Sequence, residues 1–198
     1  MKRWVLFCAV TLLFAGVLSA QSSDAPKVEV EGGYSYVRFN PGYSAPGVNF
    51  NGGSGSAAYN LTPWLGVVGD FGGYHWSQDG TDANVITYLF GPRISMRRGP
   101  ITPFAQVLFG GAHGSGSATC ESSTVRVHSD GSGFGGECGS GSENAFAMAL
   151  GGGVDWNLTD HIGIRMIQAE YLLTRFGFGG PSYSQNNARI SAGVVLRW

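Results

Sequence analysis

The chain ends with NARISAGVVLRW, residues 187–198, in which apolar and polar side chains alternate. One face of this stretch carries Ala188, Ile190, Ala192, Val194 and Leu196, and the other carries Asn187, Arg189, Ser191, Gly193, Val195 and Arg197. A period of two indicates a β-strand. An apolar face opposite a face with arginines is typical of a wall between hydrocarbon and a small polar interior. We therefore interpret 187–198 as the closing strand of a transmembrane β-barrel, paired with the first strand.

The composition also favours a membrane barrel. The 198 residues include 33 Gly, only 13% are charged, and the mean hydropathy is +0.02. Soluble domains are about a quarter charged, whereas strands that alternate between lipid and lumen give low charge without a long hydrophobic block. The formal net charge of −1 offers no basic surface for a nucleic-acid partner.

Residues 1–20 have the three parts of a secretory signal peptide. Lys2 and Arg3 form the charged start, residues 5–17 form an apolar run, and residues 18–20 provide a small-residue cleavage site. The apolar run is shorter than the ~20 residues that a membrane-spanning helix needs. We therefore expect export and cleavage rather than anchoring by this segment.

Period-two patterns bounded by Gly, Pro and Asn predict eight strands after the signal peptide. They are 28–39, 54–61, 65–76, 86–96, 101–113, 144–156, 162–171 and 187–198. Longer and short connections alternate, which is typical of long extracellular loops and short periplasmic turns. The predicted fold is an all-β, eight-stranded antiparallel up-and-down transmembrane β-barrel at 28–198, preceded by a periplasmic leader at 21–27.

Three local features refine this prediction. YNLTPWLGV at 59–67 recurs as WNLTDHIGI at 156–164, which predicts two equivalent turns at the same end of the barrel. Pro92 lacks a ladder donor, so we expect a local irregularity in the fourth strand. The alternation of the seventh strand breaks before Glu170, which predicts a bulge near Ile167 that returns Glu170 to the interior.

Five short motifs follow one another along the predicted strands: Gly33-Tyr34-Ser35-Tyr36, residues 61–72, Phe90-Gly91-Pro92-Arg93, Pro103-Phe104-Ala105-Gln106 and residues 189–198. In this order they resemble the outer-membrane β-barrel domain family, which is related to the small OmpA-like barrels. The resemblance implies a porin-like barrel in the outer membrane of a Gram-negative bacterium, in contact with its lipid and lipopolysaccharide. It also implies that Trp198 is a signal for the barrel-assembly machinery. Unlike classical OmpA, no peptidoglycan-binding domain follows Trp198, so we do not expect this chain to anchor the cell wall.

The strand faces that we place inward carry these charged side chains: Glu29, Glu31, Asp70, Arg93, Asp155, Arg165, Arg189 and Arg197. An eight-stranded barrel is only wide enough for its own side chains. Charges that leave water have to be paired, so we favour a lumen packed with ion pairs. A narrow conductive path through the same charges is the alternative.

Two cysteines, Cys120 and Cys138, remain after removal of the signal peptide. A pair in an exported chain favours a disulfide, and closing the loop between them would contribute about 3 kcal/mol. A metal site needs more ligands than the nearby His113 and His128 provide. We therefore expect neither a metal nor another cofactor.

The sequence carries only a weak candidate for catalysis. His113-Gly114-Ser115, with Glu143 as the acid, is similar to the residue set of barrel enzymes that deacylate lipopolysaccharide. Such a spacing arises easily in a segment rich in Gly and Ser, so we favour a non-enzymatic barrel.

The leading hypothesis is a role in envelope structure or surface interaction. Loops 114–143 and 172–186 would contact an extracellular ligand or surface partner, because binding residues concentrate on loops of a rigid scaffold. A low-conductance channel is the alternative function, and a lipid A-modifying enzyme is the third. A soluble lipocalin-like barrel, with the apolar faces inward, is the rival fold.

Overall fold

The fold is a closed barrel of eight antiparallel strands. The computed structural model describes residues 25–40, 47–78, 81–118, 140–176 and 184–198. The strands are β1 (Val28–Phe39), β2 (Val48–Asn60), β3 (Leu65–Gln78), β4 (Thr81–Ser95), β5 (Ile101–Ala118), β6 (Ser140–Asn157), β7 (Ile162–Arg175) and β8 (Gln185–Arg197). Each strand pairs with the next along the chain, and β8 pairs with β1. The predicted eight-stranded up-and-down barrel is confirmed.

The barrel closes where the predicted first and last strands meet. Val30 pairs with Leu196, and Tyr36 pairs with Ile190. The Val28 amide donates to the Trp198 carbonyl at 3.1 Å, and the Trp198 amide donates to the Val28 carbonyl at 2.9 Å. Closure leaves no unpaired strand edge, which hydrocarbon does not tolerate.

The apolar side chains of the strands face outward. In β8, Val194 is 51% exposed, whereas Arg189 and Arg197 on the opposite face are 1% and 4% exposed. The rival lipocalin-like arrangement needs the reverse orientation and is therefore wrong. Within the described ranges, no helix is long and apolar enough to cross a membrane.

Aromatic side chains mark both edges of the outward apolar belt. At the end where β1 begins and β8 ends, the outward aromatic residues are Tyr59, Trp64, Trp156 and Trp198. Toward the opposite end, the hydroxyl of Tyr34 donates to Asn51 and that of Tyr171 donates to Asn186, both at 2.5 Å. Aromatic rings with a polar tip are typical of membrane–water interfaces. The belt between them therefore faces hydrocarbon.

The repeated Asn-Leu-Thr segments form equivalent turns, as predicted. The Thr62 hydroxyl accepts a hydrogen bond from the Leu65 amide at 2.9 Å, and the Thr159 hydroxyl accepts one from the Ile162 amide at 3.0 Å. Both turns lie at the end of the barrel where β1 begins and β8 ends. The third turn at this end contains Gly99, whose φ of +65° is in the left-handed region that favours glycine.

The strands extend further from these turns than the sequence indicated. β2 begins at Val48 rather than at residue 54, and β3 and β4 take up all but residues 79–80 of the stretch between the predicted strands 65–76 and 86–96. β5 and β6 each have 18 residues. Gly and Ser give little strand signal of their own. Ladder pairing with a neighbouring strand keeps these segments extended.

β7 contains the predicted bulge. Its register with β8 shifts between Arg165 and Gln168. Met166 and Ile167 are adjacent in sequence, yet both face outward, at 46% and 48% exposure. The bulge near Ile167 is therefore confirmed, and it returns Glu170 to the interior, where it is buried.

Pro92 interrupts one ladder without adding a residue. β4 pairs with β5 up to Phe90 and again from Arg93, in the same register. On the other side of the strand, Pro92 stays opposite Val67 of β3. The predicted irregularity is a gap in the ladder rather than a bulge, because proline lacks the amide hydrogen.

Candidate functional site

The charged side chains that the sequence places inward are all buried in the barrel. Glu29, Glu31, Asp70, Arg93, Asp155, Arg165, Arg189 and Arg197 are each at most 5% exposed. Glu170 is equally buried, and Arg97 reaches in from a turn with 13% of its side chain exposed. These groups are five arginines and five carboxylates. Their formal charges therefore cancel inside the described interior.

Arg189 is the centre of one cluster in the lumen. Its Nη1 donates to Asp70 Oδ1 at 2.7 Å and to the Tyr74 hydroxyl oxygen at 3.1 Å. Its Nε donates to Glu170 Oε2 at 2.6 Å. Arg189 lies on β8 and Asp70 on β3, which are not neighbours, so the side chain bridges the lumen.

Arg165 is the centre of a second cluster, nearer the turns. Its Nε donates to Asp155 Oδ1 at 2.9 Å, and its Nη1 donates to Gln168 Oε1 at 2.8 Å. Its Nη1 also lies 3.5 Å from Glu31 Oε2, which accepts a hydrogen bond from Ser56 at 3.2 Å. These contacts connect β1, β2, β6 and β7.

Arg93 connects the two clusters without an ion pair of its own. Its Nε donates to Gln106 Oε1 at 2.8 Å, and Gln106 Nε2 donates to Glu170 Oε1 at 2.8 Å. The guanidinium carbons of Arg93 and Arg165 lie 4.6 and 4.4 Å from the centroid of the Phe104 ring, which is a cation–π distance for both. Among the described residues, no carboxylate lies within ion-pair distance of Arg93, and its buried Nη2 has no hydrogen-bond partner.

A third group of charges closes the turn end of the lumen. Arg97 Nη2 lies 2.5 Å from Glu29 Oε1. Arg197 Nη2 donates to Asp155 Oδ2 at 3.1 Å, and its Nη1 donates to Asn157. Beyond this layer, the lumen opens between the turns into a mouth of about 740 Å³. Together with Arg93 of β4 and Gln106 of β5, the three groups fill this half of the interior with side chains from all eight strands.

Sequence reasoning missed the neutral members of this network. Gln106 and Gln168 bridge charged groups, and Tyr74 accepts a hydrogen bond from Arg189. The alternation along β5 was an available signal, because it places Gln106 on the same face as Phe104. Glutamine carries no charge, so a search limited to ionisable residues passes over it.

The opposite half of the lumen is mainly apolar. It belongs to a cluster of buried apolar residues that begins at Ala58, opposite Glu29, and extends to the outer end. The members of this cluster are Val37, Phe50, Ala58, Val68, Tyr74, Leu89, Leu108, Ala112, Ala145, Ala147, Ala149, Leu172 and Phe176. The last two strands add a buried polar group at the outer end, in which the Thr174 hydroxyl donates to Gln185 at 3.2 Å and Asn187 donates to Thr174 at 3.1 Å. Partly buried residues continue this surface toward the open end: Phe39, Val48, Trp76, Ala83 and Val85. Transmembrane barrels of this type usually have a polar interior. The mainly apolar outer half is therefore a departure that the sequence analysis did not predict.

The structure does not bring together the residues considered for catalysis. His113 and Ser115 lie on the outer face of β5, and His113 Nδ1 is 2.9 Å from Asn144 Oδ1. Glu143 takes the opposite face of β6. An equivalent pair, His75 and Asn84 at 2.8 Å, joins β3 to β4. The repeat of the His–Asn pair indicates a shared position at the membrane surface.

Several predictions lie outside the described residues. Cys120 and Cys138 both fall within 119–139, so their disulfide stays a prediction, and the signal peptide at 1–20 likewise stays one. Within the described ranges, no group of three or more His, Cys, Asp or Glu side chains is placed to hold a metal ion.

Comparison with known proteins identifies the family. Residues 6–195 match the family described as Outer membrane protein beta-barrel domain. The chain belongs to this outer-membrane β-barrel family. No curated protein sequence matches the chain.

Three solved outer-membrane barrels have a similar structure. Ail, the attachment invasion locus protein of Yersinia pestis, superposes with a TM-score of 0.58 and 18% identity over 88% of this chain and 99% of that chain. Neisserial surface protein A superposes with a TM-score of 0.61 and 15% identity, over 89% of this chain and 100% of that chain. OprG from Pseudomonas aeruginosa superposes with a TM-score of 0.51 and 11% identity, over 90% of this chain and 98% of that chain. At these identities the likeness shows the fold alone.

Family membership shows which membrane the apolar belt crosses. The protein is embedded in the outer membrane of a Gram-negative bacterium. Short turns are periplasmic in such barrels, so the ion-paired half of the lumen is nearer the periplasm and the apolar half nearer the outside. Trp198 is 60% exposed at the periplasmic edge. Its role as an assembly signal stays a prediction.

Proposed function

We propose that this outer-membrane barrel is a non-enzymatic surface-interaction protein, which binds a partner outside the cell through strands that project from the membrane. The observation that carries the proposal is the length of β5 and β6, at 18 residues each. A strand needs about 9–11 residues to cross the hydrocarbon. The surplus forms a paired extension, here called the β5–β6 stem, at residues 113–118 and 140–144.

The surface of the β5–β6 stem is polar. Phe109 and Phe146 are the last large apolar residues on the outward faces of β5 and β6. Beyond them, the outward residues are His113, Ser115, Ser117, Ser140, Ser142 and Asn144. A cleft of about 300 Å³ lies between this stem and Asn84 of β4. Its hydroxyl and amide groups offer donors and acceptors without charge.

These groups favour a polar, uncharged partner. Within the described ranges, the cationic side chains near the outer end are Arg38 and Arg175, with His75 and His113 on the intervening strands. They are distributed around the barrel rather than clustered. Ail has been crystallised with the heparin analogue sucrose octasulfate, which is a polyanion. We propose a neutral glycan instead, because the described end of this barrel lacks a cationic cluster.

The packed lumen supports binding over conduction. Arg189 bridges the lumen to Asp70, Arg165 is paired with Asp155 of the neighbouring strand and with Glu31 of β1, and Gln106 joins the two clusters. An ion would have to separate these pairs without water to replace them, which is costly in a narrow interior. A surface role is consistent with this filling, since it leaves the lumen closed.

A shortened stem tests the proposal. Gly114 and Glu143 are opposite each other in the ladder, so replacing residues 115–142 by Asn-Gly joins them through a two-residue hairpin turn. The control is Asp79→Asn, which places the same Asn-Gly pair between β3 and β4, because residue 80 is already Gly, and leaves the stem intact. Both variants are first checked for heat-modifiable gel mobility. We expect the shortened barrel in nanodiscs to lose at least tenfold in binding to a neutral-glycan array, and the control to bind as the parent does.

Other outcomes contradict the proposal in distinct ways. Equal glycan binding and equal cell adhesion by the parent and the shortened barrel would remove the stem as the binding surface. Steady single-channel current from the folded parent in a planar bilayer would favour the channel. A change in lipid A mass on overexpression, reversed by His113→Ala, would favour the enzyme.

A further inference from the structure

A cavity of about 200 Å³ lies inside the outer end of the lumen. Aromatic and branched side chains from four strands and from the end of β7 surround it: Phe39, Val48, Phe50, Trp76, Val85 and Phe176. Phe50 stacks edge-on with Phe39 at 5.8 Å between ring centroids, and lies 6.5 Å from Trp76. The walls are therefore mutually packed rather than a set of loose side chains.

Small residues create the space. β5 contributes Gly114 and Gly116 to the wall, and β4 contributes Ala83. A Cβ on Gly114 would lie 3.1 Å from the Phe176 ring, so that ring already covers the first glycine. A Cβ on Gly116 would be 3.5 Å from the Asp82 carbonyl oxygen, which is ordinary contact. The cavity thus remains open beside residues that carry little or no side chain.

The cavity has a closed floor. Phe39, Phe50 and Val85 also line a space of about 10 Å³ beneath it, with Val37, Tyr74, Leu172 and the polar residues Thr174 and Asn187. That volume holds at most about one water molecule. Below it lies the Arg189 cluster, to which Tyr74 is hydrogen-bonded. A molecule that enters from outside can therefore bind in the cavity, but it meets packed side chains before the periplasmic half.

The lining selects for uncharged apolar molecules. None of the residues around the cavity is charged, and the two polar ones, Asn84 and Ser115, lie on the outward faces of β4 and β5. Water in such a space finds few hydrogen-bond partners, and an engineered apolar cavity of about 150 Å³ in another protein binds benzene. Aromatic rings also favour edge-to-face contact with other rings. The volume here suits a bicyclic aromatic molecule.

We propose that the outer lumen is a binding site for a small, uncharged aromatic molecule taken up from the external medium. The site goes beyond the surface role proposed above, and it uses the inner face of the wall. Substitutions inside it leave the outward serines of the stem unchanged. A negative result for binding in the cavity would therefore leave the outcome of the glycan experiment unaffected.

The test uses 1-fluoronaphthalene and ¹⁹F NMR on the full barrel in nanodiscs. Ala83→Phe places a ring in the cavity, and Ala188→Phe makes the same change on the lipid-facing side of β8. We expect a saturable bound signal for the parent and for Ala188→Phe, and at least tenfold weaker binding for Ala83→Phe. Partition into the bilayer is the same for all three samples.

A second variant keeps the test decisive if Ala83→Phe does not fold. Val48→Thr with Val85→Thr preserves side-chain shape and strand preference but adds hydroxyls to the lining, and we expect severalfold weaker binding. The anion 4-fluoro-1-naphthoate should bind at least tenfold more weakly than 1-fluoronaphthalene. Binding by the parent that does not saturate, or saturable binding that these lumen substitutions leave unchanged, would overturn the proposal.

Discussion

The two halves of the lumen are built from the same strands but hold together by different forces. The periplasmic half is filled by arginines and carboxylates that bond to one another, as Arg189 does with Asp70 and Glu170. The outer half is lined mainly by apolar side chains such as Phe50 and Leu172, beside a small polar group on β7 and β8. The same eight strands run through both halves. The difference therefore lies only in the inward side chains.

This contrast suits the ion-paired half to closing the lumen and the apolar half to binding a molecule. Ion pairs across a narrow lumen are directional and fix the distances between opposite strands. An apolar lining is non-directional, so a cavity in it admits any apolar molecule of suitable size. Tyr74 stands at the boundary, because its ring belongs to the apolar cluster while its hydroxyl accepts a hydrogen bond from Arg189. Substitutions on either side of this residue test the division.

The largest effect is expected from Arg189→Met. The change leaves Asp70 and Glu170 buried without their shared cation, and breaking a buried pair costs about 3–5 kcal/mol. Urea unfolding of the barrel in lipid vesicles measures the free energy of unfolding. The matched control is Arg93→Met, which removes a buried arginine that has no ion pair, and we expect it to cost about 1 kcal/mol or less. Equal losses from the two substitutions would contradict the proposed division of roles.

A smaller loss is expected from Leu89→Ala in the apolar cluster. The side chain is fully buried, and removing it leaves a cavity at a cost of about 2–4 kcal/mol. Because no charge is involved, raising the salt concentration should not alter the loss. The same urea titration at low and high salt checks both points. A cost below about 0.5 kcal/mol would show that this half of the lumen contributes little packing.

The smallest effect is expected from Tyr74→Phe. The ring keeps its place in the apolar cluster, and only the hydrogen bond from Arg189 is lost. Such a bond to a charged group contributes about 1.5–3 kcal/mol at most, and less where other acceptors remain, so we expect about 1 kcal/mol. In the Arg189→Met background the same substitution should cost almost nothing. A double-mutant cycle with no coupling energy between the two residues would show that the hydrogen bond from Arg189 to Tyr74 does not link the two halves energetically.

Much of the wall was predictable, because its signals are local. The alternation in residues 187–198 assigned both faces of β8, and the two Asn-Leu-Thr segments predicted equivalent turns. The bulge near Ile167 followed from one break in the same alternation. Strand ends were less predictable, since the Gly and Ser residues of β5 and β6 are extended only because each strand pairs with the other.

The sequence by itself determined that this chain forms an inside-out barrel, which residues face the lumen, and where the short turns lie. These properties depend on a period of two and on turn chemistry within a few residues. The tertiary structure alone decided which charges meet, because Arg189 and Asp70 are 119 positions apart and come together only across the closed lumen. It also decided that the apolar inward residues gather at the outer end, since barrel closure brings inward side chains from separate strands to the same level of the interior.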